Sequence, residues 1–317
     1  MISNKTISNK TISNKTISNK TVSNKTVSNK QFQINSLNKT FCRPEYSIDR
    51  YGVPRVRGGQ IPGASATTRI NIVPILIIDK KENSMDQRPL IKYRNTVSGI
   101  FVRRLNRFTA EVMIDDRLEK VHVKNTGRLR ELLLPEAKVM LQKSDNPGRK
   151  TAYDLISVYE PVLGWVNIDS LVPNALVKQY LEIQGYDMVK PEYTYGRSRF
   201  DFYMEKDGEK YLTEVKGCTL AADLDGRQIG LFPDAPTERG VKHLSELAEA
   251  AKAGYHCSIS FVIQMNGIRQ VLPNDETHPE FGKALKRAVD SGVKTVYYQC
   301  QVEADCIEII SMCMSKL

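Results

Sequence analysis

The chain has 317 residues, 46 basic and 36 acidic side chains, and 41% hydrophobic residues, enough for two ordinary domains with cores of their own. Its long apolar run, Ile70 to Ile78, contains Asn71 and Pro74 and falls far short of the ~20 residues that span a bilayer, so no membrane partner is expected. No basic segment followed by an apolar stretch opens the chain, which sets secretion aside and predicts a cytoplasmic location; six cysteines without a CxxC pair or a histidine at finger spacing read as free thiols.

Charge is unevenly spread. Residues 1–30 hold six lysines and no acid, residues 31–97 hold 11 basic and 5 acidic side chains, and the remaining residues, 98–317, hold 29 and 31. Within that last stretch, residues 98–165 are weakly basic and 166–317 acidic, which suits a phosphate-contacting module beside a carboxylate-rich metal site.

From Ile2 to Lys30 the pentapeptide Ile/Val-Ser-Asn-Lys-Thr repeats six times, the last copy without its threonine. A period of five matches neither strand nor helix, and one aliphatic residue per repeat cannot offset the ordering entropy, so residues 1–30 are predicted disordered. Residues 31–97, with Pro44, Pro54, Pro62, Pro74 and Pro89, read as a loop-rich extension; Met85 near its end is a candidate internal start. Order is predicted to begin near Ile100. Strand-like runs at Ile100–Val102, Thr109–Ile114, Leu118–Val123, Lys138–Gln142 and Thr151–Tyr159, separated by turn signals, predict a small β-barrel over 98–165, of OB-like or SH3-like type.

After Trp165 the rhythm changes. Asn174 is placed as the cap of a helix running to about Gln184. Strands follow at Met188–Tyr195, Ser198–Glu205 and Lys210–Leu220, then a helix from about Pro236 to Lys252, a strand Cys257–Met265, a helix Phe281–Ser291 and a strand Thr295–Val302. The order predicts a mixed sheet flanked by helices, an α-β-β-β-α-β domain over 166–317.

Asp207-Gly208 between two strand-like runs is a strong hairpin signal. Taking it as the turn pairs Met204 with Tyr211, Phe202 with Thr213 and Phe200 with Val215 on one, largely apolar, face. The other face pairs Tyr203 with Leu212, Asp201 with Glu214 and Arg199 with Lys216. Directly opposed carboxylates about 4.5–5.5 Å apart at Cβ repel, and a Mg²⁺ or Mn²⁺ ion bridging Asp201 and Glu214 would relieve this. Lys216, one pleat along, could then stabilise charge on a phosphate or position the attacking water. The alternative is a solvated hairpin face.

Asp201 followed by Glu214-Val215-Lys216, within helix, three strands, helix, strand, resembles the PD-(D/E)xK nuclease superfamily. The surrounding text is more specific: Ser198-Arg199-Phe200-Asp201-Phe202, Glu214-Val215-Lys216 with Thr219-Leu220, Phe232-Pro233-Asp234-Ala235, Thr237-Glu238-Arg239-Gly240, Lys242-His243-Leu244, and Asn125-Thr126-Gly127-Arg128 upstream. Together these segments resemble the sugar fermentation stimulation protein A family, from about Gly99 to Ile310. The resemblance implies an OB-like domain, a nuclease-like domain and a DNA-binding role linked to regulation of sugar catabolism. The chain departs from the family at Lys124, where a proline is usual, and at Glu136, where glycine is.

Further candidates follow. Arg239, Lys242 and His243 on the polar side of the second helix, with Arg199, could grip phosphates; Asp234 is either a helix cap or an approach to the metal. Glu182 occupies the place from which related nucleases often supply another acidic ligand. Arg103, Arg104, Arg107 and Phe108 combine cations with an aromatic ring, as a nucleic-acid groove requires. Three functions follow: a DNA-binding, Mg²⁺-dependent phosphodiesterase; a DNA-binding regulator that cuts nothing; and a carbohydrate- or protein-binding barrel. Fold and motif do not establish turnover.

Overall fold

A computed structural model of the protein describes residues 88–315, together with the backbone of three short strands, β1 (Ser47–Ile48), β2 (Pro54–Arg55) and β3 (Ile75–Ile77). The predicted disordered repeat and Met85 lie outside the described residues. The chain divides into two compact units, Met1–Arg69 and Ile70–Leu317. In the first, β1 pairs antiparallel with β2; the rest concerns the second.

Order in the second unit precedes the expected Ile100. Strand β4 (Leu90–Lys92) pairs antiparallel with the last strand, and the first barrel strand, β5 (Thr96–Arg104), begins before the sequence signal. Three residues are too few for a readable period; β4 owes its conformation to its partner strand. The barrel continues through β6 (Thr109–Ile114), β7 (Arg117–Val123), β8 (Lys138–Lys143) and β9 (Tyr153–Glu160). Pairing runs β9–β7–β6–β5–β8, and β8 returns to β9, which closes the five strands into an OB-like barrel. Val112, Val121, Val139, Leu141 and Leu155 fill it. β10 (Gly164–Asn167), absent from the sequence reading, extends β9 and leads out of the barrel. Glu136, where the family tends to have glycine, adopts φ 70°, the left-handed region that glycine enters without steric cost.

The second domain opens with helix α1 (Val172–Glu182), followed by β11 (Met188–Tyr195), β12 (Ser198–Lys206) and β13 (Glu209–Cys218). A small hairpin, β14 (Leu220–Leu224) and β15 (Arg227–Phe232), precedes helix α2 (Glu238–Lys252) and β16 (His256–Ile263). β17 (Val271–Pro273), α3 (Pro279–Asp290), β18 (Lys294–Val302) and β19 (Cys306–Ser315) complete it. The main sheet has the order β11-β12-β13-β16-β18-β19-β3, with β4 also on β19; β13, β16 and β18 are parallel and the outer pairs antiparallel. α2 and α3 cover one face through Leu244, Leu247, Phe281 and Ala284, packed with Leu212, Ile259 and Phe261. α1 covers part of the other through Leu176, Val177 and Leu181, packed with Phe202, Val215 and Val262.

Two cap assignments are corrected. Asn174 lies inside α1, whose N-cap is Leu171 with no side-chain cap bond; Pro173 is the second residue of the helix, where its missing N–H costs nothing in the first turn. α2 is capped by Thr237, whose hydroxyl accepts the Gly240 N–H at 3.1 Å, so Asp234 is not its cap.

Barrel and sheet are joined by buried polar groups. Asn167 donates to the Tyr93 hydroxyl (3.0 Å), which donates to Asp169 (3.2 Å), while Gln264 donates to Asn167 (2.8 Å). Lys124, the departure from proline, closes a 2.6 Å ion pair with Asp169.

Candidate metal centre at a strand fork

The predicted hairpin register holds from the turn outward: Lys206 faces Glu209, Met204 faces Tyr211 and Phe202 faces Thr213. There the ladder ends. β12 continues along β11 and β13 along β16, so the two strands part immediately before Asp201 and immediately after Thr213. The expected same-face pairing of Phe200 with Val215 is overturned: Phe200 packs with the α2 side, Val215 and Phe202 with the α1 side. Alternation slips by one residue at the fork, where the β12–β13 ladder ends at Phe202 and the β11–β12 ladder skips Glu192 and Asp201 before resuming at Tyr193 and Phe200.

The slip places the two carboxylates differently from a directly opposed pair. Asp201 accepts the Val215 backbone N–H at 2.7 Å, taking the place of a ladder bond, and accepts a second bond from the Asn174 amide at 2.7 Å. Burial, and then the charge of Glu214, push the Asp201 carboxyl above its ordinary range, against the pull of these two donors and of Lys216. Glu214 points to the α2 side, where Lys216 donates to Oε1 at 2.5 Å and His243 Nδ1 meets the same oxygen. Burial raises the Glu214 carboxyl, but the His243 hydrogen bond and the Lys216 ammonium outweigh it and hold it below the ordinary range. Arg239 donates to His243 Nε2 at 3.3 Å, which leaves Nδ1 as the protonated nitrogen facing Glu214.

The other oxygen, Glu214 Oε2, is buried and has no hydrogen-bond partner among the described residues. An orphaned carboxylate oxygen near a second, half-buried carboxylate is the hard-oxygen donor set that a divalent cation takes, so Asp201 and Glu214 fit such an ion. The remaining candidates divide. Asn174, read as a cap, is the residue that orients Asp201; it lies three residues before Val177, on the same helical face, and that spacing was the available signal. Glu182 is eight residues further along α1, roughly 12 Å, more than half exposed and paired with Lys178, so it is not brought to the fork. Asp234 turns to the barrel, accepting the Arg128 N–H at 3.1 Å, and lines a cavity of about 110 Å³ with Asn125, Pro173 and Gly217.

Of the cationic candidates, His243 is buried inside the network and Arg239 supports it from outside. Lys242 donates to the Arg197 carbonyl (2.7 Å), and Arg199 lies 3.5 Å from Glu192. In the barrel, Arg104 donates to the carbonyls of Asn106, Arg107, Asn125, Gly127 and Arg128, which fixes the Asn125–Arg128 loop. Arg103 pairs with Glu111 at 2.7 Å, and the Phe108 ring is half exposed.

A closed five-stranded OB-like barrel followed by a mixed sheet whose forked strands carry Asp, Glu-x-Lys defines a barrel joined to a restriction-endonuclease-like domain. Residues 102–168 match the SfsA N-terminal OB domain and residues 169–306 the sugar fermentation stimulation protein RE domain, and the chain belongs to the sugar fermentation stimulation protein family. It is 48% identical over 223 residues to the homolog from Ruminiclostridium cellulolyticum, covering 69% of this chain and 96% of that protein. The Clostridium beijerinckii homolog is 47% identical with the same coverage. Among solved structures, SfsA of Pyrococcus furiosus in complex with Ca²⁺ matches with a TM-score of 0.62 and 26% identity, over 71% of this chain and 97% of that one. No described helix is long and apolar enough to cross a membrane.

Proposed function

We propose that the protein binds DNA and hydrolyses its phosphodiester backbone with Mg²⁺ or Mn²⁺ held by Asp201 and Glu214. The observation that carries this reading is the buried, unpartnered Glu214 Oε2 at the strand fork next to Asp201. The relative crystallised with Ca²⁺ supports it, since Ca²⁺ and Mg²⁺ share a preference for carboxylate oxygen. The ion when bound would polarise a phosphate oxygen and acidify a water. The chain's own groups do the rest. Asn174 and the Val215 N–H orient Asp201, and His243 fixes Glu214 so that Oε2 is left for the ion. Lys216, 17% exposed, is the cation that would meet the phosphate. Arg103, Arg107 and Phe108 on the barrel would track the strand.

A second reading, a DNA-binding regulator that does not cut, is favoured by one observation: Glu214 is already compensated by Lys216 and His243 without a metal. Incubation with single- and double-stranded DNA and RNA in Mg²⁺, Mn²⁺ or EDTA, scoring binding and cleavage separately, decides between them. Metal-dependent cleavage lost in Asp201→Asn supports the first; binding that ignores both metal and Asp201 supports the second.

A further inference from the structure

The face of the main sheet that carries α1 changes character along its strands. Under the helix it is apolar, with Phe202, Val215 and Val262. Beyond the C-terminal end of α1 the same alternating positions become Tyr211 and Thr213 on β13, His256, Ser258 and Ser260 on β16, and Lys294 on β18. They floor a groove of about 280 Å³. Hydroxyls on a sheet face are costly unless bonded, and these bond one another: Ser258 donates to Thr213 at 2.9 Å, and Thr213 and Ser260 are 2.9 Å apart. Tyr186 rises beside this floor, edge-on to Tyr211 at 5.5 Å, and Tyr211 is stacked on His256 at 4.7 Å. Lys206 lies 5.8 Å from the Tyr186 ring centre and donates to the Gln184 carbonyl.

The lining includes Lys206 and Lys294 but no aspartate or glutamate, and among the described residues neither lysine has an acidic partner. The His256 imidazole lies 3.2 Å from Glu209 at the rim. A polar, aromatic-lined groove with two uncompensated ammonium groups is complementary to an anion with a flat body and hydroxyls. The chain's own residues 1–87 are a poor occupant on charge, with 14 basic and 5 acidic side chains.

We propose that this groove is a second ligand site, separate from the strand fork, that takes a nucleoside monophosphate. The base lies against Tyr186 and Tyr211, the ribose hydroxyls reach Ser258 and its hydroxyl neighbours, and the phosphate faces Lys206 and Lys294. Thr213 joins the two sites through the backbone, since its neighbour Glu214 projects to the opposite face.

The test is isothermal titration of the full chain with 5′-AMP in EDTA, where the fork holds no metal and turns nothing over. One saturable site is expected, retained in Asp201→Asn and weakened about tenfold or more in Lys206→Ala/Lys294→Ala, with adenosine and inorganic phosphate each binding about tenfold more weakly than AMP. Melting of the lysine variant in parallel checks that it folds; Tyr211→Ala is a second route to the same loss if it does not. No saturable binding at millimolar AMP overturns the proposal. So does binding that survives the lysine and Tyr211 changes, or that is lost in Asp201→Asn, which would place AMP at the fork. Phosphate binding as tightly as AMP also overturns it, by removing any role for the base. None of these results depends on whether the fork cuts DNA.

Discussion

The two faces of the main sheet bury polar groups by different means. Toward α2, a full charge is buried: Glu214 is held by an imidazole and an ammonium, and Arg239 supports the imidazole from behind. Toward α1, neutral hydroxyls of Thr213, Ser258 and Ser260 satisfy one another, and Lys206 and Lys294 line the same groove. Thr213 and Glu214 are consecutive, so strand alternation alone assigns the two solutions to opposite sides. A buried charge depends on each partner for its compensation, whereas a hydroxyl chain loses one modest bond at a time.

The largest expected effect is therefore at His243. His243→Ala removes a hydrogen bond to a buried carboxylate and leaves a void, and should cost about 3 kcal/mol or more in urea unfolding. Combining it with Glu214→Gln, which removes the charge to be compensated, should recover part of that loss; a double variant no better than the sum of the singles would show that His243 is packing alone. Acidity separates the two carboxylates of the fork. Glu214, held below its ordinary value, contributes stability that is full above the unfolded glutamate value and lost as pH falls through its folded value. Asp201 is raised, so the folded state binds its proton first, and stability from this group grows as pH falls through the raised value and is lost as pH rises. Asp201→Asn should therefore steepen the loss of stability on acidification, and Glu214→Gln should lessen it. Identical acid profiles for the two variants would contradict the assignment.

On the other face the effect should be smaller. Thr213→Val keeps the shape and removes the hydroxyl that Ser258 and Ser260 share, for about 1–2 kcal/mol in the same measurement. A change as large as that at His243 would erase the distinction between the faces.

Much of this arrangement was legible in the sequence, and the lapses have physical causes. The hairpin turn and its register followed from Asp207-Gly208, which sit at φ 54° and 81° as such a turn requires. Asp225-Gly226, at φ 53° and 77°, carries the same signal and makes the β14–β15 hairpin, but Ala221, Ala222 and Asp223 beside it lack the alternation that announces a strand. The identities of Asp201, Glu214 and Lys216 were readable, but their mutual geometry was not. Register is a local property of a turn, and the fork is imposed by β11 and β16 competing for the two strands from outside. Asn174 was misassigned because Ser/Thr/Asn/Asp before an apolar run signals a cap, while here its amide was needed by Asp201, a tertiary contact across 27 residues. Arg104 read as a phosphate contact, and nothing local announced the five carbonyls that surround it.

The smallest effect on stability is expected at Lys242, and it sharpens the contrast because Lys242 is the immediate neighbour of His243 on α2. One side chain faces the buried carboxylate; the other is half exposed, donates to the Arg197 carbonyl and lies 3.8 Å from Glu246. A half-exposed ammonium 3.8 Å from its partner contributes little and is screened by salt, so Lys242→Ala should cost no more than ~1 kcal/mol, less still at high ionic strength. Its effect on DNA should run the other way. If this face of α2 meets the phosphate backbone, removing one contacting cation lowers the slope of log affinity against log salt by about one, uniformly across sequences. His243→Ala, measured at a temperature where it remains folded, should leave that slope unchanged, because an imidazole enclosed by Glu214, Phe200 and Arg239 reaches no phosphate. A slope altered at His243 and not at Lys242 would mean that the buried and exposed sides of α2 have been assigned the wrong roles in binding.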